Sequence, residues 1–244
     1  AGEVKRQLVK STESLAASAG LSIAPVEIEF SIVPGMRREE VAEYLAPRFG
    51  WSQYEKLVFG RMESICYAHH DSNVYLPGTY SLPSWSSPEE VHAYLENESS
   101  HRLALLISEQ AINDPIVKNA MVVASLLQRE AAGNGDERQI AGIIWNRLYR
   151  GMPLQIDATL QYAKGRPGNW WPVPQPEDKF INSVFNTYKY TGLPPGPIAN
   201  PRLALVEAAL NPEPTNCLYY IHANREFYCS DTYEGHLRNI NRYL

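Results

Sequence analysis

Long apolar runs are missing from this sequence. The most apolar stretch, Ala120 to Leu127, is eight residues long and leads into charge, far short of the roughly 20 residues a membrane helix requires. No spanning helix and no signal peptide are expected within the chain. It opens on Ala1 rather than methionine, as a trimmed piece of a longer protein would, so a missing anchor carries little weight. Strong charge of one sign is also missing. The 22 basic and 27 acidic residues leave a net charge of -5, which suggests neither a nucleic-acid groove nor a polybasic membrane patch. Cysteine is scarce. Cys66, Cys217 and Cys229 are odd in number and lack metal-ligand spacing. The last two flank a hairpin turning at Asn224-Arg225, and counting back from that turn sets Cys229 opposite Tyr220, away from Cys217. No bridge is expected between them; free, packed thiols are. There is no glycine-rich phosphate loop, and Ser125 sits in no nucleophile elbow. His69-His70-Asp71 indicates no third ligand, so no metal site is expected.

What is present reads as a soluble α+β protein. Apolar residues make up 44% and charged residues 20% of 244 positions, enough to bury one large core or two small ones. Residues 1–23 are small and polar, a lead-in or linker. Val26 to Val33 alternates polar and apolar, the mark of a half-buried strand, and Pro34-Gly35 stops it. Arg38 to Leu45 follows as a helix with Val41, Ala42 and Leu45 on one face, making a small α/β module. A second helix is expected over Gln53 to Tyr67, with Leu57, Val58 and Met62 inward. Prolines, glycine and aromatics between residues 71 and 88 read as a structured loop or domain junction. Ser87-Pro88-Glu89-Glu90 starts a helix that runs, with a break, to Ile112. Another begins at Asn113-Asp114-Pro115 and fades at Gly133. Asp136 to Gln139 resembles a capping box ahead of a stripe of Ile140, Ile143, Ile144 and Leu148. Asn200-Pro201 caps a helix to Leu210. Leu218–Ile221 and Glu226–Tyr228 make a hairpin, and Thr232 to Tyr243 a last helix.

Glu130 is the most informative acid. Leu127, Leu126 and Val123 lie three, four and seven residues before it, on its own face of the helix. A carboxyl there must be paired, neutral or facing a cleft. In a cleft, desolvation raises its proton affinity toward what a general acid needs. The bland alternative pairs it with Arg129, Arg138 or Arg147, and spacing alone favours that ion pair. Gln155 and Asp157 project to one side of an extended segment, where they suit sugar hydroxyls, or Asp157 merely caps the next helix. Phe185-Asn186-Thr187-Tyr188 and the proline-rich run Thr191 to Pro201 place amides, hydroxyls and rings on a stiffened loop, which suits a carbohydrate or a rigid connector. His236 is open between cap, core and site.

Several segments taken together resemble one family. Ala124-Ser125-Leu126-Leu127-Gln128-Arg129-Glu130, Asn146-Arg147-Leu148, Gly151 to Thr159, Phe185 to Tyr188 and Thr191-Gly192-Leu193-Pro194-Pro195-Gly196-Pro197-Ile198 are similar, in order and spacing, to the endolytic murein transglycosylases (MltG, or YceG-like). Ile32-Val33-Pro34-Gly35-Met36 resembles the start of the family's LysM-like helix, and Leu76 to Tyr80 its lobe junction. The resemblance implies a LysM-like module and lobe junction over 24–86 and a larger helix-rich catalytic domain with a short antiparallel sheet over 87–244. It implies a lyase that cuts the β-1,4 bond from N-acetylmuramic acid to N-acetylglucosamine inside peptidoglycan strands, leaving 1,6-anhydro ends. Glu130 falls on the family's catalytic position; Gln128 stands where members often carry a second acid. Gln155, Asp157, Thr159, Asn186, Thr187, Tyr188 and His236 are the substrate-binding residues it implies, with no cofactor. The implied partners are glycan strands and cell-wall synthases, with no nucleic acid. The implied place is the outer face of the cytoplasmic membrane, reached through an anchor this chain lacks. Two other readings stay open: a hydrolase in which Asp157 activates water, and a non-catalytic glycan-binding scaffold.

Overall fold

A computed structural model of the protein describes residues 7–8, 11–12, 26–61, 74–107, 114–130 and 135–244. Met62, Cys66, His69, His70, Asp71, Ile112 and Gly133, and most of the expected lead-in, lie outside the described residues. The architecture is α+β, with helices around two small antiparallel sheets.

The first sheet forms as the alternation predicts on one strand and against expectation on the other. β1 (Glu27–Ile32) turns Phe30 and Ile32 inward. Its partner is β2 (Gly78–Pro83), antiparallel with Phe30 opposite Tyr80. The segment read as a junction loop is therefore partly a strand: once β1 is laid down, its exposed edge groups need partners, and proline is tolerated at the far end of β2. α1 (Arg38–Phe49) buries Val41, Ala42 and Leu45, and α2 (Gln53–Arg61) follows directly. On α2 the expected inward face is wrong for Leu57, which is exposed, and Val58 is half-buried. Phe59, about 200° round the helix from Leu57, is the buried residue, and its ring lies 5.1 Å from Trp51 and 5.7 Å from Tyr75.

α3 (Pro88–Leu103) starts in the expected capping box, where Glu90 N–H donates to Ser87 Oγ and Ser87 N–H to the Glu90 carboxylate. Val91 and Leu95 enter the first core and Leu103 the second, so this helix serves both. The second core gathers around α4 (Pro115–Glu130), α5 (Glu137–Tyr149), α6 (Asp157–Lys164) and α7 (Leu203–Leu210). A hairpin of β3 (Tyr219–Ala223) and β4 (Glu226–Ser230) closes it, followed by α8 (Tyr233–Tyr243). Asn224 and Arg225 both adopt positive φ, 54° and 68°, the geometry of a two-residue hairpin turn.

Three local expectations are corrected by tertiary partners. Cys217 and Cys229 form a disulfide, their Cα atoms 5.8 Å apart. Tyr220 does face Cys229, but above it both Leu218 and Tyr219 meet Ser230, the first through its N–H and the second as ladder partner. That irregularity breaks the simple ladder count beyond Tyr219, and Cys217 reaches back to Cys229. Asp136 stands at the N-cap of α5 without capping it, and its carboxylate is bound to His222. Asn200 caps nothing either. Fully buried, it accepts from Gly35 N, donates its own N–H to Met36 O, and takes Tyr75 N–H on its side-chain oxygen at 2.8 Å.

Those bonds join the segments around the two cores, and Arg37 adds a second tie. Its guanidinium lies 3.9 Å from the Tyr162 ring and 4.9 Å from Trp170, while Nη1 donates to Tyr162 O. Trp170 and Trp171 donate their indole N–H groups to Glu43 and Glu40 of α1. At Gly165 a Cβ would fall 2.2 Å from Trp170 O and 2.7 Å from Arg37 Nη1, so no side chain fits there. Among the described residues, no helix is long and apolar enough to cross a membrane.

Candidate active site

α4 delivers Glu130 at its last residue, after a run of fully buried side chains from Ala120 to Leu127. The carboxyl opens into a cleft of about 530 Å³. Its walls come from α5, from the Leu154–Asp157 segment entering α6, from Lys179 and Tyr188, and from Tyr219, Tyr220, Tyr233 and His236. Glu130 is half-buried, and its Oε2 accepts a hydrogen bond of 2.9 Å from the Tyr220 hydroxyl. The Ala158 N–H, in the first turn of α6, also reaches it.

None of the three candidate arginines makes a salt bridge to it among the described residues. Arg129 lies 3.9 Å over the Trp171 ring, and Arg138 gives its Nε–H to Asn211 O. Arg147 is spent on the carbonyls of Leu218, Pro153 and Leu154, with Tyr219 stacked above it. Burial therefore dominates the electrostatics of Glu130. It pushes the carboxyl above its ordinary 4.5, and the negative charge of Asp157 adds to the rise. The Tyr220 bond, the Ala158 N–H and His222 pull the other way without prevailing. Tyr220 is itself held well above 10 by burial and then by Glu130, so it stays a donor at neutral pH.

The far wall is set by the chain between α5 and α6. Gln155 is exposed, at a left-handed φ of 56°, a conformation that costs a residue with a Cβ on the order of 1 kcal/mol. It is held there by hydrogen bonds of its own N–H to Thr187 O and of Ile156 N–H to Thr187 Oγ1. Asp157 is the first residue of α6 rather than its cap, and its Oδ1 accepts from the Tyr188 hydroxyl at 2.6 Å. Burial, then this bond, raises the Tyr188 phenol. Lys179 sits 4.9 Å over the Tyr188 ring. On the opposite side His236 stacks on Tyr219, centroids 5.3 Å apart. Burial and the nearby Arg147 lower its pKa from 6.5, and its Nδ1 is buried without a protein partner. A neutral imidazole nitrogen, a carboxylate, an amide and phenols thus surround one protonatable carboxyl.

Comparison with known proteins fits this geometry. The model of the YceG-like family matches residues 5–242. An endolytic murein transglycosylase of Bacillus subtilis is 35% identical over 72% of this chain and 49% of its own length. One of Streptococcus pneumoniae is 31% identical over 69% of this chain and 31% of its own. The chain belongs to the YceG-like family. It spans half the length or less of these curated relatives. A crystal structure of a yceG-like protein from Listeria monocytogenes superposes with a TM-score of 0.71 at 26% identity, over 93% of this chain and 80% of that one.

In this YceG-like chain, Gln155, Asp157, Tyr188 and His236 line the same cleft as Glu130. Thr159, Asn186 and Thr187 do not. All three are buried: Thr159 and Thr187 join their hydroxyls at 3.0 Å beneath Gln155. Asn186 donates to Lys179 O and Ile181 O and accepts Tyr188 N–H, folding the loop that carries both wall residues. These three shape the site without facing it. Spacing had missed Tyr220, Tyr219 and Lys179, because each reaches the cleft from an element distant in sequence. The one signal in the sequence was the alternation of β3, which puts Tyr220 and His222 on one face.

Proposed function

We propose that this chain is an endolytic lytic transglycosylase of peptidoglycan, with Glu130 as general acid and then general base. The observation that carries the reading is a carboxyl of raised proton affinity, free of any arginine clamp among the described residues, opening into a polar cleft. The names of its relatives point to the same chemistry.

Glu130, in its protonated form, donates its proton to the glycosidic oxygen as the bond from that oxygen to C1 of N-acetylmuramic acid breaks. The oxocarbenium-like charge at C1 is met by the substrate's own acetamido group. The carboxylate so formed takes the proton from the sugar's 6-hydroxyl as its oxygen bonds to C1, giving the 1,6-anhydro end. No water is consumed, and one carboxyl serves where glycosidases use two because the nucleophile is tethered within the substrate. Gln155, Asp157, Tyr188 and His236 would hold the sugar hydroxyls. The disulfide suits an oxidising space outside the cytoplasm, where the polymer lies. Attachment to the outer face of the cytoplasmic membrane and work beside cell-wall synthases belong to the same reading.

The test is strand cleavage by Glu130→Gln, with products weighed by mass spectrometry. Loss of at least about a thousandfold in rate with an unchanged fold is expected, and wild-type products one water lighter than hydrolysis gives. Asp157 lies in the same cleft, so hydrolytic ends would transfer the reaction to a two-carboxylate mechanism. Absence of cleavage by wild type and Glu130→Gln alike would reduce the protein to a glycan-binding scaffold, and full cleavage by Glu130→Gln would take the catalytic role from Glu130.

A further inference from the structure

Glu130 and Asp136 stand at the two ends of the short connection between α4 and α5. Tyr220 and His222, two apart on β3, share one face of that strand. Each of the two aromatic residues binds one of the two acids: the Tyr220 hydroxyl binds Glu130 at 2.9 Å, and His222 Nε2 meets Asp136 Oδ2 at 2.5 Å. The hairpin is therefore pinned on both sides of the connection that follows the catalytic carboxyl. The ring of Phe227, opposite His222 in the ladder, stacks 5.6 Å from Tyr220 and lies 5.5 Å from His222, while His222 meets Tyr220 edge-on at 5.7 Å. Tyr220 is thus walled by two rings, one of them anchored by a carboxylate only 4% exposed.

We propose that Asp136 and His222 form a positioning pair that holds Tyr220 on Glu130, so that the hairpin governs the orientation and proton affinity of the catalytic carboxyl. The catalytic role of Glu130 rests on the proposed function; its coupling to the pair does not. A helix-capping role cannot explain Asp136, since it makes no side-chain cap although it occupies the cap position. Among the described residues, the groups facing Glu130 are Tyr220 and His222 from β3, Asp157 and the Ala158 N–H from α6, Tyr188 from the cleft wall, and Arg129 from its own helix. Those facing His222 are Asp136, Tyr220 and Glu130. Of these influences on Glu130, both the Tyr220 bond and His222 favour the carboxylate. Their loss must raise its affinity for the proton.

The experiment compares wild type, His222→Gln, Tyr220→Phe and the double variant in the full chain, by two readouts. The first is the titration of the Glu130 carboxyl carbon by NMR, which needs no activity. Both single variants should move its midpoint upward, and His222→Gln should move it by less than half as much when Tyr220 is already phenylalanine. The second is the pH profile of strand cleavage. A rate loss of about tenfold in kcat is expected, with KM little changed and the alkaline limb shifted upward, since the resting acid must be protonated. An unmoved titration in His222→Gln, or an effect undiminished in the Tyr220→Phe background, overturns the proposal. If His222→Gln does not fold, Asp136→Asn takes its place in the cleavage assay, where kcat within twofold of wild type overturns it. Should no variant, wild type included, cleave glycan while the titration moves as expected, the proposed function falls and the coupling stands.

Discussion

Glu130 is the residue whose cost to the fold exposes its use. Its proton is bound more tightly in the folded chain than in the unfolded one, because burial disfavours the charged form. The folded state therefore holds more protons than the unfolded state above the ordinary value of 4.5, and stability falls as pH rises through the raised value. Glu130→Gln, which keeps the shape and cannot ionise, should melt no lower than wild type at neutral pH. Its advantage should shrink as pH falls toward 4.5; melting temperatures of the two proteins across pH check this. An ion-paired glutamate would behave in the opposite sense, with Glu130→Gln losing stability at neutral pH. The carboxyl was legible in the sequence because an acid on an apolar helical stripe is anomalous whatever surrounds it. That it has no salt bridge among the described residues was not, since Arg129, Arg138 and Arg147 are near in sequence, whereas Trp171, Asn211 and Leu218, which engage them, are not.

At the scale of elements, the hairpin does most to complete the site. β3 brings Tyr219 and Tyr220 to the cleft, and the Cys217–Cys229 bridge closes the base of the ladder that carries them. A cross-link spanning 12 residues is worth roughly 3 kcal/mol through the unfolded chain. Replacing both cysteines by serine should lower stability by about that amount. Peptide mapping without reduction should recover 217 joined to 229. If the bridge also keeps Tyr220 on Glu130, the serine variant should lose cleavage activity even at temperatures where it stays folded, measured beside its melting curve. Helices were the legible elements: the capping box of α3 and the stripe of α4 depend on neighbours within a few residues. β2 was not, because glycine and proline mark a loop locally and only the edge of β1 makes them a strand.

Among the described residues there are two cores, joined by α3 and by a few polar residues. Asn200 binds Gly35, Met36 and Tyr75 at once, with no exposure to solvent. Asn200→Ala leaves the Tyr75 N–H buried and unpaired, at a cost of about 2 kcal/mol. Calorimetry should then show a lower and broader transition as the two cores begin to melt apart, whereas a single sharp transition at the wild-type temperature would refute a bridging role. The residues that line the cleft all lie between Glu130 and His236, beside the larger core, so the variant should retain cleavage at low temperature.

Local pattern by itself determined the class of the fold, most helices, the hairpin turn and the suspicion attached to Glu130, since each depends on periodicity or chemistry within about ten residues. The family likeness pointed to Gln155, Asp157, Tyr188 and His236, which share the cleft, and equally to Thr159, Asn186 and Thr187, which lie beneath it. Only the tertiary structure separated those two groups, joined Cys217 to Cys229, and turned Asp136 and Asn200 from caps into long-range anchors. The physical reason is common to all of them. A buried polar side chain takes whichever partner the packed core leaves nearest, and that partner comes from elsewhere in the chain.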